Sequence, residues 1–250
     1  MKKYLIAAAT ALLALAMVAV AVAQNPAPPV QFEASQKPTK AGTKKKPRPT
    51  TIDVSMSVPA EANATADQIV FHLPGHVRVS GKGFRYCPAT RLDATKDPSQ
   101  CPKGSQVGEG SATVMLGSSQ QTLDLTMFAG SANELAIWLQ GTGGLQGVQK
   151  GLRGIISRSG KPYYQKLTID ITQDVQQPIP GLYSNLTNIQ ADIGGTNGKK
   201  GRKRRNLIEV IGCPKNKKHK WETRVRFIEK PGVATAGVVP QKTTSRCSKA

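Results

Sequence analysis

Apolar and polar residues alternate along much of the chain, and this period of two constrains the fold more than any other feature. The alternation is clear over residues 52–58, 123–127, 167–171, 189–193 and 221–227. Successive side chains of a β-strand point to opposite faces, so the pattern predicts strands that are buried on one face. Turn-forming clusters of Gly, Pro, Asn and Asp separate these segments. We therefore predict an all-β fold, a single antiparallel β-sandwich or flattened barrel of about ten strands.

The chain divides into three parts by composition. Residues 24–50 are rich in proline, lysine and threonine and contain few apolar side chains. Such a segment buries too little surface to offset the entropy lost on ordering it, which predicts a disordered basic linker. The alternating strands follow without an internal boundary, so residues 51–250 are predicted to be one β domain that includes a weakly patterned C-terminal tail.

The first 23 residues have the organisation of a secretory signal peptide. Lys2 and Lys3 precede an uncharged apolar run that closes on Ala21-Val22-Ala23. This small-x-small sequence predicts cleavage before Gln24 and a secreted, extracytoplasmic protein. The alternative is an uncleaved N-terminal anchor, because about 20 apolar residues can span a bilayer as a helix. The abundance of alanine would weaken that anchor.

The four cysteines predict two disulfide bonds. An even number of cysteines in an exported chain indicates a disulfide framework, for which three connectivities are possible. We predict the sequential one, Cys87–Cys101 with Cys213–Cys247, since both separations close loops worth roughly 3–4 kcal/mol each in the chain-entropy model. A zinc site would require close pairs such as Cys-x2-Cys, which the sequence lacks, so we predict no metal.

No arrangement of residues indicates catalysis. His72 and His76 are four apart, but Leu73-Pro74-Gly75 between them excludes a helix that would bring them onto one face. The sequence lacks a Gly-x-Ser-x-Gly nucleophile motif. The acid pairs Asp93/Asp97 and Asp170/Asp174 have no recognisable cleft around them in the sequence. We predict a protein that is not an enzyme and has no cofactor.

Positive charge is concentrated in two regions, the predicted linker (residues 24–50), which we expect to act as a second weak anchor for an anion, and residues 196–250, which contain two basic runs. The formal net charge is +20, while residues 51–195 carry eleven basic and eleven acidic residues. The most basic run is predicted to form a hairpin tip between strands that end near Ile193 and begin near Leu207, and a second basic turn precedes the strand that contains Trp221. The candidate anion-binding residues are Lys199, Lys200, Arg202, Lys203, Arg204 and Arg205 in the first and Lys215, Lys217, Lys218 and Lys220 in the second.

These cations repel one another and would gain free energy from a polyanion through counterion release. The basic run is equally well interpreted as a solvated loop that keeps the protein soluble. Stacking aromatic residues are absent from the runs apart from Trp221 at the edge, which argues against specific nucleic-acid binding. An anionic envelope polymer or an anionic lipid surface is the expected partner.

Several motifs give the chain a family resemblance. They are Cys87-Pro88, the segment from Cys101-Pro102 to Gly110, Gly212-Cys213-Pro214, a strand with Phe227, and Cys247 near the C-terminus. With the signal peptide and the basic hairpin, this arrangement resembles uncharacterised secreted disulfide-containing β-sandwich-like proteins of soil actinobacteria. The resemblance covers most of residues 51–250 and supports the β architecture and the disulfide pairing. It implies no activity.

Two classes of function follow from the sequence. The first is a secreted, non-enzymatic envelope or extracellular protein that binds an anionic polymer or membrane surface through the basic hairpin. The second is a structural or adhesion module that binds a protein partner through a neutral sheet face, with incidental charge in the basic loop. Salt dependence separates them, because only the first relies on charge.

Overall fold

The computed structural model describes residues 28–197, 205–228, 230 and 237–249. Sixteen strands lie in these residues: β1 (Gln31–Lys37), β2 (Arg48–Pro49), β3 (Thr51–Ser57), β4 (Ala66–Pro74), β5 (Val77–Val79), β6 (Gln106–Leu116), β7 (Ser119–Ser131), β8 (Glu134–Gly141), β9 (Gln149–Arg158), β10 (Tyr163–Asp170), β11 (Ser184–Ile193), β12 (Thr196–Asn197), β13 (Arg205–Asn206), β14 (Ile208–Val210), β15 (Lys218–Phe227) and β16 (Gly237–Arg246). Two short α-helices, α1 (Ala89–Thr95) and α2 (Gln173–Gln176), and three 3-10 turns, Ala60–Ala62, Pro98–Gln100 and Gly143–Leu145, lie in the connections.

Eleven strands form one sheet in the order β1-β3-β11-β6-β7-β8-β9-β10-β4-β15-β16. Every neighbouring pair is antiparallel. The sheet curls until its edges meet beyond the strand ends, where Lys40 and Ser248 form a parallel bridge. The prediction of an all-β fold with a flattened antiparallel barrel is therefore confirmed. All five segments that alternate in the sequence lie in or overlap strands of this sheet.

The two edge strands run in the same direction because the sheet has an odd number of antiparallel strands. Their extensions are joined by hydrogen bonds from the Ala41 amide to the Ser248 carbonyl (2.8 Å) and from the Ser248 amide to the Thr39 carbonyl (3.0 Å). Along the strands themselves, β1 pairs with β3 and β16 with β15. We call the line along which β1 and β16 face each other the seam.

The inward faces of the strands form one apolar core. Buried side chains from every part of the sheet contribute, including those of Met56, Ile69, Leu125, Ile137 and Val225. An eleven-stranded barrel is wider than the roughly eight-stranded one that side chains just fill, so it must flatten or retain internal space. This barrel does both, and it retains an apolar cavity of about 150 Å³.

The connections between strands differ in length at the two ends of the barrel. One end, which we call the long-loop end, carries residues 38–50, 75–105, 132–133, 159–162, 194–217 and 247–249. The other, the short-loop end, carries residues 58–65, 117–118, 142–148 and 171–183 and the connection between β15 and β16. A small sheet in the order β2-β14-β5 covers the long-loop end and buries Val77, Ile208 and Val210.

Both predicted disulfides are confirmed. Cys87 and Cys101 are joined with a Cα–Cα distance of 5.4 Å, and Cys213 and Cys247 with 5.8 Å. Such bonds are typical of an oxidising, extracytoplasmic compartment. Among the described residues, no helix has the length and apolar character needed to cross a membrane. The predicted signal peptide, residues 1–23, lies outside the described part of the chain.

The loop closed by the first disulfide covers the outside of the barrel. It contains α1, whose Ala89 and Leu92 pack with Trp138 of β8 and Phe128 of β7 in a second, smaller apolar cluster. Trp138 therefore points away from the barrel interior and is buried beneath the helix, with 1 % of its surface exposed. Gly151 of β9 lies under the same helix.

Two sequence-based expectations are wrong. The predicted linker, residues 24–50, contains strand β1, which pairs along its whole length with β3. The predicted loose C-terminal tail contains strand β16, which pairs along its whole length with β15. The inward positions of β1 are Phe32, Ala34 and Gln36, so only one large apolar residue marks the strand in the sequence.

Because residue 151 is a glycine, α1 can approach β9 closely. We therefore expect a larger side chain at this position to destabilise the fold. A Cβ atom at this position would lie 2.6 Å from the Ala89 carbonyl oxygen and 3.2 Å from Leu92 Cβ. We expect Gly151→Ala to lower the free energy of unfolding by about 1–3 kcal/mol, since α1 must shift. Gly147→Ala, which would have open space around its Cβ, is the matched control and should change it by less than about 0.5 kcal/mol. Urea denaturation of both variants measures the difference, and equal effects would contradict this account of Gly151.

Candidate functional site: a basic end of the barrel

The loops at the long-loop end are strongly basic. Within residues 38–50, 159–162, 205–217 and 247–249 there are ten basic residues and one acid, Glu209. The cations are Lys40, Lys44, Lys45, Lys46, Arg48, Lys161, Arg205, Lys215, Lys217 and Lys249. All of them are exposed except Arg48, which is half-buried. We call this surface the basic end.

Backbone contacts bring segments far apart in the sequence together at the basic end. The Gly42 amide donates to the Val210 carbonyl (3.2 Å), and Arg48 pairs with Val210 in the small sheet. The Cys247 amide donates to the Lys217 carbonyl (2.9 Å), close to the second disulfide. As a result the turn at residues 43–46, the turn at residues 214–217 and the C-terminus lie side by side.

The short-loop end has the opposite character. Its described loops contain the acids Glu61 and Asp174 and a single basic residue, Lys230. Lys230 is buried beside Tyr183 and donates to the side-chain oxygens of Asn63 and Asn185. Burial lowers the pKa of Lys230 to about 8. In the described loops, the excess of positive charge therefore lies at one end of the barrel, the basic end.

The cations of the basic end have no carboxylate within ion-pair distance among the described residues. Basic residues on the strands differ in this respect: Arg226 binds Asp67 (2.9 Å), Arg153 binds Glu134 (3.2 Å) and Arg224 binds Glu222 (2.6 Å). Six of the eleven basic residues on the strands of the large sheet thus have a carboxylate partner. Those at the basic end face solvent and are available to an external anion.

The predicted anion-binding residues are separated by the fold. Lys199, Lys200 and residues 202–204 lie outside the described residues. Arg205 begins β13, which pairs with β12, so the expected hairpin is present at its base. Lys215, Lys217 and Lys218 lie beyond the other end of β14 and adjoin the turn at residues 43–46. Lys220 is exposed on β15, next to that group.

Beyond the short β12–β13 hairpin, the three strands nearest the basic run in the sequence, β11, β14 and β15, do not pair with one another. β11 pairs with β3 and β6, β14 with β2 and β5, and β15 with β4 and β16. The basic run therefore joins the barrel wall to the small sheet. The sequence suggested Lys40–Arg48 only as part of a disordered arm, residues 24–50, that acts as a second weak anchor, and not as part of a folded surface at one end of the barrel. Their charge was visible, but the strand that precedes them was not.

The acid pairs have structural partners. Asp93 and Asp174 both contact Lys150, at 3.5 and 3.0 Å, and Asp97 accepts a hydrogen bond from the Ser99 amide at 2.8 Å. Asp170 accepts a hydrogen bond from Gln68. In the described part of the chain, no group of three or more His, Cys, Asp or Glu side chains could hold a metal ion.

His72 and Ser159 form the closest approach to a catalytic pair. His72 Nδ1 lies 2.9 Å from Ser159 Oγ, and burial lowers the pKa of His72. Glu222, opposite His72 on the neighbouring strand, accepts hydrogen bonds from Tyr163 (2.8 Å) and Arg224. Burial raises the pKa of Glu222, but these hydrogen bonds more than offset it and leave the pKa below its usual value. The carboxylate is thus held by Tyr163 and Arg224.

Comparison with known proteins gives no relative for this chain. No protein-family model, no curated protein and no solved structure matches it.

His219 lies beneath the basic end, and its burial predicts a pH dependence of stability. Burial lowers the pKa of His219 to about 4, with a smaller contribution from His76, whose ring lies 6.2 Å away. The unfolded chain has a His pKa near 6.5, so it binds the proton more tightly than the folded protein between these values. The contribution of His219 to the free energy of unfolding should therefore fall as the pH drops through 6.5 and become constant below about pH 4.

When the pH is lowered from about 7.5 to about 5, protonation of His219 in the unfolded chain should lower the free energy of unfolding of the wild type by about 2 kcal/mol. His219→Asn cannot take up that proton, so its free energy of unfolding should fall by about 2 kcal/mol less over the same interval. Urea denaturation of both proteins at the two pH values measures the difference. Parallel pH profiles would show that His219 is not the responsible group.

Proposed function

We propose that this chain is an extracytoplasmic, non-enzymatic envelope protein that binds an anionic polymer through its basic end. The mature protein would begin at Gln24 after signal cleavage. The ligand would be a flexible chain that carries phosphate or carboxylate groups at regular spacing, such as a teichoic acid. The exposed cations on several separate loops suit such a chain, which can contact them in succession.

The observation that carries the proposal is the segregation of charge between the two ends of the barrel. Surface lysines scattered over a protein would keep it soluble without selecting a partner. Here the described loops of one end hold a large excess of cations without ion-pair partners, and those of the other end hold one buried lysine. Such a concentration of one sign raises the local density of anions and speeds their association.

The loops of the basic end favour a polymer over a lipid bilayer. Among the described loop residues of the whole long-loop end, only Tyr86, in the connection 75–105 beside the basic end, is a large apolar residue with an exposed side chain. Binding at a bilayer interface usually combines charge with apolar side chains that insert between the lipids. Exposed aliphatic residues of the loops, Ile179 and Leu182, lie at the short-loop end instead.

Salt dependence of binding tests the proposal. We expect the mature chain to bind teichoic acid with a log–log salt slope of roughly −3 to −4, as for four to six phosphates on a single-stranded polyanion. Lys44→Gln/Lys45→Gln/Lys46→Gln and Lys215→Gln/Lys217→Gln/Lys218→Gln should each reduce the slope by up to about 2. Substitution of the 199–205 run tests the remaining predicted cations. Fluorescence anisotropy of a labelled polymer over a salt series gives the slopes.

A matched variant removes the same charge from the barrel wall. Arg153→Gln/Lys166→Gln/Lys242→Gln should keep the wild-type slope, since these residues lie on strands. An equal loss of slope in this variant would show that only net charge matters. Salt-independent binding to cells would instead favour the protein-facing adhesion module. Single-stranded DNA and anionic vesicles, as further probes, separate a general polyanion site from a lipid surface.

A further inference from the structure

The barrel encloses an apolar cavity with the properties of a ligand site. Its volume is about 150 Å³, and its lining is apolar except at His72 and Ser184. The walls come from strands all round the barrel and from Ile208 of the small sheet. A cavity of this size with aliphatic and aromatic walls stays dry and accepts a small apolar molecule.

One part of the interior surface, beside the seam, is polar. Directly opposed residues of an antiparallel pair share a face, so the partners of the inward residues of β15 also point inward. Ser245 lies opposite His219, Thr243 opposite Trp221, and Gln241 opposite Thr223. Gln36 is the inward residue of β1 on the other side of the seam. We call these seven residues the polar strip.

Several atoms of the polar strip are buried without a hydrogen-bond partner in the described part of the chain. They are both amide atoms of Gln36, both ring nitrogens of His219 and the hydroxyl of Thr223. Gln36 and His219 are each 1 % exposed, and Thr223 is 0 % exposed. Buried polar groups are nearly always paired, because an unpaired one costs the free energy of its lost hydration. A polar group from outside the chain would remove that cost.

A cleft at the seam lies against both the polar strip and the cavity. The cleft has a volume of about 730 Å³, and Gln36, Thr243 and Ser245 are among its lining residues. Ala34 and Val54 line the cleft and the cavity alike. Ala191 borders both spaces as well, so side chains of modest size lie between them. The outer side of the cleft is charged, with Asp53, Asp192 and Arg246 among its lining residues.

We propose that the barrel interior binds a single-chain amphiphile whose alkyl chain occupies the cavity and whose uncharged polar head hydrogen-bonds to Gln36. The seam is the route by which it enters. This activity is separate from polymer binding, since it uses the inside of the barrel and the other uses the loops of one end.

The side chains of the polar strip favour a ligand whose head group is uncharged. A carboxamide offers one acceptor and two donors, which complement a hydroxyl, ester or amide. A charged head would need an opposite charge in the interior, and the polar strip contains none, because burial keeps His219 neutral near pH 7. The cavity, of about 150 Å³, admits one short alkyl chain, since a cavity of this size accepts a molecule such as benzene.

The two tryptophans make the site measurable. Trp221 lines the cavity and donates a hydrogen bond to Ser245, whereas Trp138 is buried outside the barrel under α1. A monoacylglycerol with a short brominated acyl chain is the probe, since bromine quenches a tryptophan that it contacts. We expect the probe to quench Trp138→Phe, which retains Trp221, and to leave Trp221→Phe largely unquenched. The quenching should be insensitive to salt.

Gln36→Leu tests the head group. The variant should fold with at least wild-type stability, because it removes unpaired polar atoms, and it should bind the probe about tenfold more weakly. Gln120→Leu makes the same change at an exposed position of β7, away from the cavity and the cleft, and should bind as the wild type. Ala112→Leu, which fills the cavity from β6, should abolish quenching of Trp221 in a folded protein.

Three results would overturn the proposal. They are no quenching up to the solubility limit of the probe, equal quenching of both tryptophans, and unchanged affinity in Gln36→Leu. An absence of quenching would mean that the polar strip binds water and no amphiphile. Equal quenching of both tryptophans would mean that the probe adsorbs to the protein surface.

Discussion

The structure depends on how an odd number of antiparallel strands closes. In an eleven-stranded antiparallel sheet the two edge strands run in the same direction, so the repeating ladder of the sheet cannot continue across the join. The chain resolves this with a parallel contact beyond the strand ends, at Lys40 and Ser248. The second disulfide, Cys213–Cys247, holds the same corner. Edge strands that would otherwise be exposed to aggregation thus protect each other.

The same arrangement determines where charge can act. Antiparallel neighbours send their connections alternately to the two ends, and the longest connections in this chain all leave from one of them. Those connections carry most of the unpaired cations, whereas strand cations such as Arg226 and Arg153 have carboxylate partners. Exposed charges within about 8–10 Å of one another act together at physiological salt, so their proximity decides whether separate lysines form a binding surface.

The cavity inside the barrel is a consequence of the barrel's width. A narrower barrel would be filled by its side chains, but eleven strands leave a cavity that flattening reduces and does not remove. The polar strip lies beside the seam because the inward positions of β16 after Val239 are Gln241, Thr243 and Ser245. Trp221 links the two regions, since its ring lines the cavity and its Nε1 donates to Ser245. A ligand site inside and a charged surface at one end can therefore coexist without shared residues.

The sequence by itself determined the β architecture, the central strands and the disulfide pairs. Strands buried on one face, such as the one with Leu167 and Ile169, impose an alternation that needs no tertiary information, and loop-closing separations favoured the sequential pairing of the cysteines. The sequence did not reveal β1 and β16, because Gln36 and Thr243 occupy inward positions that are normally apolar. It also could not show that the segments with Lys44 and Lys217 lie at the same end of the barrel, because that placement depends on backbone hydrogen bonds of Gly42 with Val210 and of Cys247 with Lys217. Only the tertiary structure decided the seam, the cavity and the basic end, because each is made by segments far apart in the chain.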